Sequence, residues 1–251
     1  MYYFVSDTHL GMLCEEGDKS RERAFVQWLD SIADDAEEIF LLGDIFDFWF
    51  EYKRVIPKGF TRLLGKLSQL SDRGIRISFF TGNHDMWVGD YLQQECGITV
   101  YTAPQTVTLA GKTLFLAHGD NMHITGHPML RLMNAAFRSA TVRWLFSHLV
   151  HPDAAMRFGR WWSSSSRKSK SIKEPFRGKE EPLVQFAENM LRERHVDYFV
   201  FGHIHCAEDF ALSNGSRAIF LGEWIHSPAY AELDDSGRMR LECLPAMPGR
   251  K

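Results

Sequence analysis

The chain has little of what secreted or membrane-spanning proteins are built from. Its 251 residues include four cysteines, Cys14, Cys96, Cys206 and Cys243, too widely separated for a CxxC zinc or redox motif. With no disulfide framework, a reduced cytoplasm is the expected home. No run of 18 or more apolar residues occurs, so no membrane-spanning helix is expected. The opening Met1 to Gly11 has neither a basic stretch nor a cleavage site, and no export signal is expected. Internal repeats are absent. What is abundant is core: 45% hydrophobic and 13% aromatic residues are enough for one large packed domain.

The formal net charge of -3 is unevenly spread. Residues 121–180 carry eleven Lys or Arg against three Asp or Glu, while the rest carry eighteen against twenty-nine. A basic block in an acidic chain points to an anionic partner for that block, although a solvated helical face would look the same.

Six apolar runs read as buried strands: residues 2–7, 38–44, 76–83, 113–119, 197–202 and 217–222. Helical patterns fill residues 19–35, 58–73 and 182–194, the last with Pro182 in its first turn. This alternation predicts an α/β domain of helices covering sheets, made of residues 1–120 and 181–251. Residues 121–180 break the rhythm and read as an inserted helical cap. One helix is expected over 129–150, with Leu130, Met133, Phe137, Trp144, Leu145 and Leu149. A second, over 153–162, combines Met156, Phe158, Trp161 and Trp162 with Arg157 and Arg160. The run Ser163 to Ser171, which includes Arg167, Lys168 and Lys170, reads as a basic loop.

Five of the strands end in residues that bind metals. The endings are Asp7-Thr8-His9, Gly43-Asp44-Ile45-Phe46-Asp47, Gly82-Asn83-His84-Asp85, His118-Gly119-Asp120 and Gly202-His203-Ile204-His205. One DxH triplet arises often by chance; five such endings at one sheet edge form the arrangement of an α/β active site. Imidazoles and hard oxygens without thiolate suit manganese, iron or zinc. A carboxylate has two oxygens with which to bridge two ions, and a neutral Asn leaves the centre positive.

The motifs DxH, GDxxD, GNHD, HG and GHxH, in this order, resemble the calcineurin-like metallophosphoesterase family. The resemblance covers the chain apart from the cap. It implies a β-sandwich of two mixed sheets flanked by helices, and a dinuclear site hydrolysing a phosphate ester or anhydride. It also implies that Asp7, His9, Asp44 and His205 hold one ion, and that Asp44, Asn83, His118 and His203 hold the other. His84 is then a general acid facing the leaving group, steadied by Asp85. Asp47 and Asp120 either orient ligand histidines or cap local backbone. His195, His148 and His151 read as surface residues. His123, His127 and His226 read either as pocket-lining or as structural residues, and Cys206 is not needed as a ligand.

Ser6 to Gly11, Gly43 to Trp49, and Leu221-Gly222-Glu223-Trp224 are similar to a narrower branch of the family. That branch cleaves the pyrophosphate of UDP-2,3-diacylglucosamine to UMP and a lipid monophosphate (lipid X) in lipid A synthesis, and it carries a helical insertion at the same place. The resemblance implies a nucleotide-linked lipid substrate and peripheral contact with the inner membrane. Acyl chains would lie among the cap aromatics, chiefly Trp161 and Trp162, with Arg157, Arg160, Arg167, Lys168 and Lys170 for the diphosphate and headgroups. Two departures stand out: His84 replaces an arginine of the best-known form, and Ile124-Thr125-Gly126 replaces an acidic stretch. The alternatives are a soluble phosphodiesterase or nuclease whose basic cap follows a nucleic-acid backbone, and a scaffold without activity. A cap mixing charge with Trp, Phe and Leu favours lipid over nucleic acid, and the complete ligand set disfavours the scaffold.

Overall fold

A computed structural model describes residues 1–12, 17–122, 135, 137, 139–169 and 176–245. Among these residues, eleven strands form two mixed sheets. The first sheet contains β1 (Tyr2–Val5), β2 (Glu38–Leu42), β3 (Arg76–Phe80), β4 (Thr99–Tyr101), β10 (Ala229–Leu233) and β11 (Met239–Cys243), in the order β11-β10-β1-β2-β3-β4. The second contains β5 (Gln105–Leu109), β6 (Lys112–Ala117), β7 (Tyr198–Phe201), β8 (Ala207–Ala211) and β9 (Arg217–Leu221), in the order β5-β6-β7-β9-β8.

Side chains alternate across a strand, which is why both sheets are apolar on two faces. Phe4, Phe40, Leu42 and Phe80 of the first sheet meet Leu114, Leu116, Val200 and Ile219 of the second in the middle of the sandwich. On the outer side of the first sheet, α1 (Gly17–Ile32) and α2 (Thr61–Asp72) bury Phe25, Trp28, Leu29, Leu63 and Leu67 against Val5, Ile39 and Phe79. On the outer side of the second, α6 (Pro182–Leu191) buries Leu183, Val184 and Ala187 against Phe199 and Phe201. The short α3 (Tyr91–Cys96) leads into β4.

Strands β1, β2 and β3 are parallel to one another, as are β6, β7 and β9. All of their C-terminal ends therefore lie along one edge of the sandwich. Five strands escape the apolar-run reading: β4, β5, β8, β10 and β11. They are edge strands, or they alternate buried with open positions, as Ala229–Leu233 does, so none forms a continuous apolar run.

Between β6 and α6 lie α4 (Ala140–Leu149) and α5 (Pro152–Ser169). The single helix expected over 129–150 is interrupted: Ser139 is extended and caps α4, its hydroxyl accepting from Val142 N. Leu130, Met133, His123 and His127 lie outside the described residues. The loop expected from Ser163 is instead the last two turns of α5, which continues to Ser169. Serine loses only a few tenths of a kcal/mol to alanine inside a helix, too little to stop one that is anchored elsewhere.

Candidate metal centre and active site

The parallel strand ends deliver their residues into one cluster. Asp7, His9, Asp44, His84, Asp85 and His118 are all buried. Backbone bonds tie their loops together: Asp7 N donates to Gly43 O at 3.1 Å, His9 N to Asp44 O at 3.0 Å, and Gly202 N to His118 O at 3.1 Å. Eight described non-glycine residues have positive φ, and five of them are Asp7, His9, Asp44, His203 and His205. Such backbone strain collects where side-chain placement matters. The glycines of the motifs answer to space: a Cβ on Gly82 would stand 2.2 Å from Asp44 Oδ1, and one on Gly202 2.6 Å from Asp7 Oδ2.

Each carboxylate spends one oxygen on backbone and turns the other inward. Asp7 Oδ2 accepts from His203 N at 2.9 Å, while Oδ1 lies 3.2 Å from His205 Nε2 and 3.7 Å from His9 Nε2. Asp44 Oδ1 accepts from His84 N at 2.8 Å, while Oδ2 lies 3.3 Å from His118 Nε2, 3.9 Å from His9 Nε2 and 4.0 Å from His84 Nε2. Asp44 thus faces both halves of the cluster through Oδ2 alone, where two oxygens were expected to share the task. His9 Nε2 and His205 Nε2 face each other at 3.2 Å, and the His118 and His203 rings sit 5.2 Å apart.

The cluster fits a pair of divalent cations. Asp7 Oδ1, Asn83 Oδ1 and His118 Nε2 are buried with no hydrogen-bond partner, a costly state for polar atoms that nothing coordinates. Since His118 Nδ1 donates to Leu42 O at 2.8 Å, Nε2 is the nitrogen left to face a cation. Burial raises the carboxyls, but the nearby His205 and His9 hold Asp7 well below the usual range, and His118 and His84 do the same for Asp44 through their charges. Burial lowers the imidazoles, yet Asp47, Asp7 and Asp44 push His9 up to about 10, and Asp44 raises His118. The centre favours positive charge from whatever source can supply it.

Asp85 departs from its expected role. Its Oδ2 accepts from Ile45 N at 2.8 Å and Phe46 N at 3.3 Å, and its Oδ1 from Gly82 N at 2.7 Å. It splices the loops after β2 and β3 and makes no hydrogen bond with His84, because three backbone N–H groups occupy its carboxylate. Burial and the nearby Asp44 push its carboxyl up to about 7 against those bonds. The group that holds His84 is the carbonyl of Asp47, 2.9 Å from Nδ1. Burial lowers the pKa of His84, opposed by Asp44 and Asp47.

Two further residues support the site. Arg21 is buried and donates through Nη1 to His9 O at 2.8 Å and Thr8 O at 3.4 Å, clamping the DxH loop. A cation four residues before Phe25, on the face of α1 that buries Phe25, Trp28 and Leu29, is the sequence signal for it. Ser163 of α5 is also buried, and its Oγ donates to Asp47 Oδ1 at 2.6 Å.

The remaining candidates scatter. Trp162 lines a narrow apolar slot with Phe48, Trp49, Met86, Trp87, Phe137 and Phe158 that reaches Asn83 and His84. Trp161 points away and is 61% exposed, so the tryptophan pair is divided. Arg157 is exposed; the side chains of Arg160, Arg167 and Lys168, and all of Lys170, lie outside what is described. His226 is half exposed and paired at 3.0 Å with the buried Glu223, which also accepts from His226 N.

A buried nest of nitrogen and oxygen donors at the carboxyl edge of two mixed sheets, short of positive charge, suits a metal-dependent phosphoesterase. The chain belongs to that class: the calcineurin-like phosphoesterase family matches residues 2–207. Within it, the chain is 39% identical over 245 residues to the UDP-2,3-diacylglucosamine hydrolase of Porphyromonas gingivalis, covering 92% of this chain and 93% of that one. It is 28% identical to the protein of the same name from Histophilus somni, over 94% and 97% of the two chains. The counterpart from Tolumonas auensis is 27% identical over 92% of each.

Proposed function

We propose that this enzyme hydrolyses the pyrophosphate of UDP-2,3-diacylglucosamine to UMP and the lipid monophosphate, a step of lipid A synthesis. Residues 121–180 serve as a helical cap on the core formed by 1–120 and 181–251. The observation that carries this reading is the apolar slot of about 30 Å³ at Asn83 and His84. Its described walls hold no Lys or Arg to follow a nucleic-acid backbone, whereas an acyl chain needs apolar walls of this kind. The slot must widen to take a whole acyl chain, and its outer wall is the cap. A second cavity, of about 380 Å³, reaches His118 and has Thr81, Tyr101, Asn121 and Phe186 on its walls, with room for the nucleoside half. Relatives named for this substrate match the chain along almost its whole length, cap included.

Asp7, His9, Asp44 and His205 would hold one ion and Asp44, Asn83, His118 and His203 the other, with manganese first and iron or zinc suited to the same donors. When bound, such ions supply positive charge for the diphosphate and acidify an attacking water. His84, oriented by the Asp47 carbonyl, gives a proton to the departing lipid phosphate. Its pKa, lowered by burial, rises again beside a bound dianion. Arg157 and the basic residues Arg160, Arg167, Lys168 and Lys170 draw in the anionic substrate. Trp144, Leu145, Leu149 and Trp161 are exposed and give the cap a face for peripheral contact with the inner membrane from the cytoplasm; no described helix is long and apolar enough to cross one.

Product analysis tests the reading. With manganese and UDP-2,3-diacylglucosamine, mass spectrometry should find UMP and lipid monophosphate in equal amounts. No turnover of that substrate together with cleavage of oligonucleotides would assign the enzyme to the nuclease alternative.

A further inference from the structure

The cap helix α5 rests on the core through a row of small residues. Ala155, Gly159 and Ser163 recur every four positions, and all three are buried, so they form one stripe along the helix. A Cβ at Gly159 would stand 2.3 Å from the Phe48 ring; the ring fills the space that glycine leaves. One turn further on, the Ser163 hydroxyl reaches Asp47 Oδ1 at 2.6 Å, a buried bond between residues 116 positions apart.

Asp47 then touches both histidines on that side of the cluster. Its carbonyl accepts from His84 Nδ1 at 2.9 Å, and its Oδ1 lies 3.5 Å from His9 Nδ1 and 4.0 Å from His84 Nδ1. One aspartate therefore joins the cap helix to a residue read above as a metal ligand and to the residue read as the acid. Both imidazoles turn Nδ1 toward Asp47 and Nε2 toward Asp44: the Asp47 carboxylate stands behind His9 at ion-pair distance, and its carbonyl anchors His84. A carboxylate behind a ligand histidine fixes its ring and raises its basicity, and losing such a group commonly costs 10- to 100-fold in metal affinity or activity.

We propose that Ser163 is a positioning residue: seating α5 on Phe48 brings its hydroxyl onto Asp47, which then holds His9 and His84 in working orientation. The site is competent only under a docked cap, so the element that binds the lipid also licenses hydrolysis. This rests on the metal-ligand reading of His9 but not on the identity of the lipid substrate.

The test compares Ser163→Ala, Ser163→Thr and Gly159→Ala with the parent, each confirmed folded by its thermal transition. Two quantities are read: manganese affinity of the metal-free protein by calorimetry, and kcat and KM on bis(p-nitrophenyl) phosphate, which is too small to draw binding energy from the cap. Ser163→Ala should weaken manganese binding about tenfold and lower kcat similarly, with KM unchanged. Ser163→Thr keeps the hydroxyl and should stay within about twofold of the parent. Gly159→Ala leaves the hydroxyl in place but lifts the helix from Phe48, and should reproduce the Ser163→Ala losses. In an Asp47→Asn background, Ser163→Ala should add nothing, as expected of two residues acting through one bond. Parent-like manganese affinity in Ser163→Ala, or a loss that persists undiminished in the Asp47→Asn background, overturns the proposal. If the parent does not turn over the small diester, the calorimetric comparison decides alone. Failure to hydrolyse UDP-2,3-diacylglucosamine would leave both readouts untouched.

Discussion

The sheet edge and the cap place their functional residues in opposite ways. At the edge, each candidate ligand follows a buried strand and is fixed by backbone bonds between loops, with several residues held at positive φ. Little there can move without breaking several contacts at once. In the cap, the candidates ride on helices whose described polar ties to the core include Tyr52 Oη to Val150 O at 2.9 Å, Trp87 Nε1 to Phe137 O at 2.6 Å, and Ser163 to Asp47. Much of its apolar surface stays open, as at Trp144 and Leu149. The proposed chemistry sits where geometry tolerates least, and the proposed substrate selection where a surface can adapt.

The largest effect is expected at Asp44, whose Oδ2 faces both halves of the cluster. Asp44→Ala should prevent binding of two metals and reduce activity by roughly four orders of magnitude, the scale of removing one member of a catalytic unit. Elemental analysis of the purified variant checks the first part; two tightly held metals would refute the ligand assignment. His84→Ala should behave differently, keeping its metals and losing about 10²-fold in turnover on esters with poor leaving groups. With p-nitrophenolate as leaving group, the loss should shrink to about tenfold, because little protonation is needed. Equal losses on both substrates would mean that His84 has another task.

The two regions also differ in how much of them the sequence discloses. Asp7, Asp44, Asn83, His118 and His203 each close an apolar run, three of them directly after a glycine, and a run ending in a ligand residue type is a local pattern. The supports are not local. Arg21 spends its charge on the carbonyls of Thr8 and His9, and only its place on the apolar face of α1 betrays it. Asp85 neighbours His84 in sequence, yet its oxygens are drawn to the N–H groups of Ile45, Phe46 and Gly82. Ser163 lies in a serine-rich run that suggests a loop; its buried contact is with Asp47, far away in the chain. Edge strands such as β5, Gln105–Leu109, bury no complete face and so leave no apolar signature.

The tryptophan pair sharpens the comparison inside the cap itself. Trp162 lines the slot at His84, so Trp162→Ala should raise KM for the diacyl substrate about tenfold, equivalent to about 1.4 kcal/mol of lost contact. Hydrolysis of a small soluble diester should hardly change, since the metal ligands are untouched. A parent-like KM on the diacyl substrate would remove the slot from the lipid path.

Trp161 should give the smallest effect, and one of a different kind. It is 61% exposed on the same helix, with its ring centroid 6.0 Å from that of Phe158, and it does not line the slot. Its role in the proposed reading is to enter the headgroup region of a membrane alongside Trp144 and Leu149. Losing one partly exposed ring from an amphipathic face removes about 1 kcal/mol of interfacial burial, which corresponds to a several-fold weaker partition. Trp161→Ser should therefore bind vesicles containing anionic lipid a few-fold less tightly, measured by sedimentation. Added salt should weaken the parent and the variant alike, because the charges of the cap are unchanged. Turnover of a detergent-dispersed diacyl substrate should be unaltered, since no bilayer is then required. If Trp161→Ser partitions like the parent but turns over the dispersed substrate more slowly, then Trp161 contacts the lipid directly and the division drawn between the two tryptophans is wrong.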